Sequence, residues 1–195
     1  IVYGRINTLK CTKEMLEKDD KVHFVNDEVF TYDGILTNSD YFKKGEVIIQ
    51  DLSSSLIPKV LDVSRNMTVL DACSAPGTKT QEIAMFMQNE GEIIAQDIYE
   101  KRVQLIDHLM LKTGVTIVKT KVQDSSVLNE EYINKFDRVL LDAPCSGLGD
   151  LRHKPEIRFH LKPDNIDELT SLQKKLLEVN GQYVKEGGIL VYSTC

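Results

Sequence analysis

From Met67 to Cys195 the chain alternates short β-rich runs with helical segments, the pattern of βα units wound into a parallel sheet with helices on both faces. Strands are predicted at Thr68 to Asp71, Glu92 to Gln96, Thr116 to Val122, Arg138 to Asp142 and Gly188 to Tyr192, each a nearly continuous apolar run suited to burial on both sides. A helix over Glu100 to Lys112 lines up Val103, Ile106, Leu109 and Met110, with Gly114 as its C-cap. A second, over Asn165 to Val184, pairs Asn165 with Glu168 at its start and turns Ile166, Leu169, Leu172, Leu176 and Val179 inward. Right-handed crossovers gather the carboxyl ends of such strands on one edge, where open α/β folds bind ligands.

Ahead of this region the grammar changes near Gly45. Residues 1–45 read as a small α+β unit, with helical character from Glu14 to Lys18 and strands at Val22 to Val25 and Val29 to Tyr32. Residues 46–195 form the main domain, entered through a helical pattern at Leu56, Val60 and Val63 in which Pro58 either opens or kinks the helix. With 195 residues and 42% hydrophobic content, one substantial core and one small appendage are what the length allows. The chain begins at Ile1 without methionine and stops directly after a strand, so it is expected to be a piece of a longer protein.

No apolar run approaches the roughly 18 residues needed to span a bilayer, and Ile1 to Lys10 lack a secretory pattern, so a cytoplasmic protein is expected; the sequence leaves the oligomeric state open, with a monomer favoured. Four scattered cysteines, Cys11, Cys73, Cys145 and Cys195, show no metal-ligand spacing and read as free thiols in a reducing compartment. A net charge of −6 excludes a uniformly basic nucleic-acid coat but not a local basic face. Arg152, Lys154, Arg158 and Lys162, with His153 and His160, cluster between Asp150 and Pro163, and Arg5, Lys10 and Lys13 add charge near the start. Solvated surface is the plain reading; a grip on a nucleic-acid backbone is the functional one.

The polar oddities fall at the strand ends. Asp71-Ala72-Cys73-Ser74-Ala75-Pro76-Gly77-Thr78-Lys79-Thr80 joins the first strand to a helix, so its amides face the ligand edge. It fits neither the Walker pattern nor a dinucleotide fingerprint. A nucleoside cofactor without a phosphate chain suits it better: small residues let the backbone approach, and the carboxylate of S-adenosylmethionine suits amide donors. A tight turn is the structural alternative. Asp97 ends the second strand, where a carboxylate can accept both ribose hydroxyls. Arg102 reaches the same nucleoside or merely pairs with Asp97. Asp124 accepts from an adenine amino group or caps a turn.

Two cysteines sit at strand tips, in Asp142-Ala143-Pro144-Cys145 and in Ser193-Thr194-Cys195. Enzymes that methylate exocyclic amines resemble one another in an Asp or Asn, two prolines and an aromatic; here cysteine takes the aromatic position. Carbon-5 of a pyrimidine has no lone pair, so a thiolate must add to carbon-6 before carbon-5 can attack a methyl group. A buried structural thiol is the alternative for Cys145, and Cys11 and Cys73 suit that role better.

These residues resemble the Sun-type RNA cytosine carbon-5 methyltransferases, a family that includes the bacterial ribosomal RNA small-subunit methyltransferase B. The likeness runs through Arg5-Ile6-Asn7-Thr8-Leu9-Lys10, Gln50-Asp51-Leu52-Ser53-Ser54, Asp71 to Thr80, Asp142 to Gly147 and Ser193-Thr194-Cys195. It implies a Rossmann-like class I methyltransferase core, its final antiparallel strands lying beyond this chain, preceded by a small RNA-recognition-like or ferredoxin-like unit. It implies S-adenosylmethionine as cofactor, held by positions matching Cys73, Ser74, Ala75, Pro76, Gly77, Thr78, Lys79, Asp97, Arg102, Asp124 and Asp142. It makes Cys195 the nucleophile and Cys145 the group that assists product release. Asp142 is expected to serve ring nitrogen 3, and Lys79 to favour the thiolate. Where the family usually has a second glycine before the lysine, this chain has Thr78, so the loop must avoid a positive φ there. The substrate implied is RNA, ribosomal by resemblance. Transfer RNA, an assembly factor that binds cofactor with little catalysis, and a methyltransferase for small molecules or proteins remain alternatives.

Overall fold

The computed structural model describes residues 2–145 and 163–194, which build two sheets. The first runs β1 (Tyr3–Ile6), α1 (Lys13–Leu16), β2 (Val22–Phe24), β3 (Val29–Tyr32), α2 (Asp40–Lys44) and β4 (Val47–Ile49). Its order is β2-β3-β1-β4 with every pairing antiparallel, the βαββαβ succession of ferredoxin-like units. Ile6, Leu16, Phe30, Leu36 and Val47 form its core. Helix α2 and strand β4 are too short to announce themselves by periodicity. Chemistry at both ends fixes the helix: Ser39 Oγ accepts from the Phe42 amide at 3.2 Å, and Gly45 closes it at φ 73°.

The larger sheet holds β5 (Thr68–Asp71), β6 (Glu92–Asp97), β7 (Val118–Val122), β8 (Phe136–Asp142) and β9 (Val184–Ser193), all parallel in the order β7-β6-β5-β8-β9. Alternation along its central strands covers both faces. Val69, Ile93, Ala95 and Leu140 point into one core, and Leu70, Ile94, Val139 and Leu141 into the other. Helices α3 (Ile57–Val60), α4 (Thr78–Phe86) and α5 (Glu100–Thr113) bring Ile57, Ile83 and Ile106 to the first core. Helix α6 (Pro163–Gly181) brings Leu176 and Val179 to the second, beside Tyr132 and Phe136. Each of these large side chains contributes about 1.5–3 kcal/mol relative to exposure. The order of strand winding reverses between β5 and β8, which makes the crevice over their carboxyl ends the ligand position of this topology.

Several expectations change. Strand β7 is not apolar throughout: Lys119 and Lys121 are exposed on an edge strand, where charge discourages edge-to-edge pairing. Strand β9 starts at Val184, because Gly187 (φ 75°) and Gly188 accommodate a bulge opposite Phe136 to Arg138 instead of ending a loop. Helix α6 starts two residues early, at Pro163, a residue tolerated in a first turn. Along it Leu176 and Val179 are buried, whereas Ile166 and Leu172 are exposed, since only its second half lies on the sheet. Pro58 opens α3 without kinking it. Arg5 is no surface charge; it is fully buried against Glu82. The cluster from Arg152 to Lys162, along with Ser146, Gly147 and Cys195, lies outside the described residues. Among those described, no helix is long and apolar enough to cross a membrane.

Candidate active site

Strand β5 ends in Asp71, a carboxylate with no exposed surface. The Thr80 hydroxyl, one turn into α4, donates to Asp71 Oδ2 at 2.7 Å, while Oδ1 is buried with no hydrogen-bond partner. Burial pushes this carboxyl up to about 7, against the opposing pull of the Thr80 hydrogen bond and of Lys79. An orphaned, buried carboxylate oxygen is costly, and a cationic ligand group would relieve it.

The loop from Ala72 to Gly77 leaves β5 and enters α4 at Thr78. Gly77 takes φ 104°, and a Cβ there would lie 3.2 Å from Ile106 Cγ2, so glycine is required by both conformation and space. Thr78 is the first helical residue and carries no positive φ, which resolves the departure from the family pattern: the left-handed turn belongs to Gly77 alone. Ser74 spends both amide and hydroxyl on the Gln96 carbonyl, at 2.9 and 3.0 Å, and thereby ties the loop to β6. Cys73 is pushed up to about 12, first by burial and then by Asp71, Asp97 and Asp142, which keeps it a neutral thiol.

Across the β5/β8 crevice, Lys79 Nζ lies 2.7 Å from Asp142 Oδ2. Ser193, paired with Asp142 on the adjoining strand, donates its hydroxyl to Oδ1 at 2.7 Å. A cleft is lined by Asp71, Cys73, Ser74, Ala75, Pro76, Thr78, Lys79 and Asp142, which brings most of the expected loop residues together with one expected catalytic residue from another strand. Asp97, nearly buried at the end of β6, accepts from the Tyr99 amide at 3.3 Å and lies 3.5 Å from Arg102. Arg102 also donates to the Ala75 carbonyl at 3.2 Å, so it braces the loop as well as pairing with Asp97. Both contacts leave it half exposed and individually weak. Asp124 serves a turn through Oδ1, which accepts from the Ser126 amide and hydroxyl; the Gln123 amide bonds the Asp97 carbonyl, so the two carboxylate-bearing segments are neighbours.

The tips of β8 and β9 are joined. The Ala143 amide donates to the Ser193 carbonyl at 2.9 Å, and Gln173 of α6 reaches the Pro144 carbonyl at 2.8 Å and Thr194 Oγ1 at 3.4 Å. Cys145 is disulfide-bonded, whereas Cys11 and Cys73 are free, so the expectation of a free thiol fails at Cys145. Sequence reading placed Asp71, Thr80 and Ser193 within its motifs but gave none of them a role; only strand pairing reveals that Ser193 faces Asp142.

Residues 58–195 match the family model described as 16S rRNA methyltransferase RsmB/F. A probable ribosomal RNA small subunit methyltransferase B from Bacillus subtilis is 38% identical over 200 residues, covering 98% of this chain and 45% of that protein. A tRNA (cytosine(49)-C(5))-methyltransferase from Pyrococcus abyssi is 36% identical, covering 98% of this chain and 64% of its own. The crystal structure of a methyltransferase homolog protein from Pyrococcus horikoshii superposes with a TM-score of 0.85 at 34% identity, over 100% of this chain and 64% of that one. The chain thus spans roughly half to two thirds of the length of these relatives. Its parallel sheet, its strand-end loop and these matches agree, and the chain belongs to the RsmB/F methyltransferase family.

Proposed function

We propose that the protein of which this chain is part methylates carbon-5 of a cytosine in RNA, with ribosomal RNA the favoured substrate. One observation carries the reading: an orphaned buried carboxylate, Asp71, and a lysine–carboxylate pair, Lys79 and Asp142, line the same strand-end cleft. S-Adenosylmethionine fits the residues present. Asp71 suits its ammonium group, the loop from Cys73 to Lys79 would hold its amino-acid end, and Asp97, Arg102 and Asp124 would hold its nucleoside. When bound, it supplies the methyl group that carbon-5 takes.

The chain's own residues do the rest. Cys195 as thiolate adds to carbon-6 of a cytosine held out of its stack, and the electron pair moves toward the ring carbonyl and nitrogen 3. A proton passes from Lys79 through Asp142 to nitrogen 3, so the adduct carries no net negative charge. After methylation, Cys145 or a water it positions takes the carbon-5 proton. The carbon-6–sulfur bond breaks, nitrogen 3 returns its proton, and Cys195 leaves as thiolate.

The chain would work as two units divided after β4 and not near residue 45, because β4 pairs with β1 and completes the first unit's sheet. That unit and the basic segment from Arg152 to Lys162 would grip the RNA backbone, in a cytoplasmic setting. Transfer RNA is the second reading, favoured by the match of 98% of the chain to the Pyrococcus abyssi enzyme. Incubating the full-length protein with cofactor and either ribosomal or transfer RNA, then measuring 5-methylcytosine by mass spectrometry, tests both. Product in ribosomal RNA alone supports the first reading and product in transfer RNA alone the second. Cofactor binding without product in either RNA would leave an assembly factor.

A further inference from the structure

The seam between the small sheet and the methyltransferase core is polar, buried and directional. Arg5 of β1 has no exposed surface, yet its guanidinium reaches both Gln50, just past β4, and helix α4. It donates from Nε to Gln50 Oε1 at 2.8 Å, and from Nη2 to Gln81 Oε1 at 2.6 Å and to the Thr78 carbonyl at 3.4 Å. Glu82 Oε2, also fully buried, lies 3.5 Å from Nε and accepts from Gln50 Nε2 at 2.6 Å. Gln81 in turn donates to Asn7 Oδ1 at 2.9 Å, and Asn7 donates to the carbonyls of Gly45 and Thr113, at 2.8 and 2.9 Å. Thr78, Gln81 and Glu82 make up the first turns of α4, the helix that begins where the strand-end loop stops at Gly77.

Adhesion alone does not call for this chemistry. Apolar residues of similar volume commonly hold such a seam as well as a buried ion pair does, since they avoid desolvating two charges. What a planar, five-donor guanidinium adds is direction, because its fork is satisfied in only one orientation of α4 against β1. We infer that Arg5 is a positioning residue for the cofactor loop: through Thr78, Gln81 and Glu82 it sets where α4 begins, and so where the loop from Cys73 to Gly77 presents its backbone. The small unit is thereby wired to cofactor binding as well as to RNA. The inference rests on the proposed use of S-adenosylmethionine by this cleft.

The test uses full-length protein, with S-adenosylmethionine titrated by calorimetry and unfolding followed in parallel. Arg5→Met alone strands the Glu82 charge and is expected to unfold readily. The charge-free pair Arg5→Met/Glu82→Met removes that penalty. It is expected to fold while binding the cofactor about tenfold more weakly, with KM for the cofactor raised and kcat at saturation kept. Arg5→Lys retains a charge beside Glu82 but loses the fork, so it too should fold and bind weakly, and it decides the matter should the pair fail to fold. A folded pair or lysine variant with wild-type cofactor affinity would overturn the inference. Failure of the wild-type protein to bind the cofactor would instead overturn the functional reading beneath it.

Discussion

Lys79 and Asp142 meet across the point where the strand order reverses, Nζ to Oδ2 at 2.7 Å, although one residue lies in the first turn of the helix after β5 and the other ends β8. Both side chains are partly solvent-exposed, so the pair contributes little to stability and is better placed as a proton path. Lys79→Met and Asp142→Asn are each expected to slow single-turnover methylation about a hundredfold while changing stability by less than about 1 kcal/mol. Because the two act as one unit, the double variant should be scarcely slower than either single one. Additive losses would show that they act separately.

Asp71 gives a pH signature. Its folded value is raised from 3.8 to about 7, mainly by burial, so the folded chain holds a proton that the unfolded chain has released. Stability from this group is fully present below about pH 4 and is lost as pH rises toward 7, and Glu82, also raised to about 7 by burial, adds to the same slope. Asp71→Asn should therefore match the wild type near pH 4 and exceed it at pH 8 by on the order of 4 kcal/mol, read from urea unfolding. Cofactor affinity should move the opposite way. An ammonium group favours the ionised carboxylate, so binding by the wild type should tighten from pH 6 to pH 8, and the asparagine variant should lose that dependence.

Gly77 and Thr78 should respond unequally to exchange. Gly77→Ala forces a Cβ into the left-handed region and to within 3.2 Å of Ile106 Cγ2, costing about 1–2 kcal/mol and displacing the start of α4. Thermal unfolding and cofactor titration should both register it. Thr78→Gly restores the residue usual in the family but relieves no strain, because Thr78 is already helical. Its expected outcome is unchanged cofactor affinity and a stability loss of a few tenths of a kcal/mol, the entropy cost of glycine in a helix.

The sequence carried the order of β and α segments and the edge at which the site forms, because β5, β6 and β8 are apolar runs with a carboxylate at or just past each tip. Local pattern has no access to partnership across the fold. Arg5 looked like surface charge because its counter-charge, Glu82, is far away in sequence and is brought near only when β1 packs on α4. Ile166 and Leu172 shared a helical stripe with Leu176, yet α6 lies on the sheet only at its far end. Asp71 read as one strand-end carboxylate among several; its full burial and its unpartnered oxygen appear only in three dimensions.

The joined tips of β8 and β9 make an order-of-events prediction for the two cysteines. The Ala143–Ser193 backbone bond and the reach of Gln173 to Pro144 and Thr194 involve the residues that immediately precede Cys145 and Cys195 in sequence. If Cys195 forms the bond to carbon-6 and Cys145 serves its release, the defects differ in kind. Cys145→Ala should still attack and methylate, then stall, leaving a protein–RNA adduct that survives a denaturing gel. Cys195→Ala should form no adduct and no product, and the double variant should behave like Cys195→Ala, since a release step is irrelevant where no bond forms. Reductant must be present, because Cys145 is disulfide-bonded in the structure and only its thiol form can act. An adduct retained by Cys195→Ala and lost by Cys145→Ala would exchange the two roles.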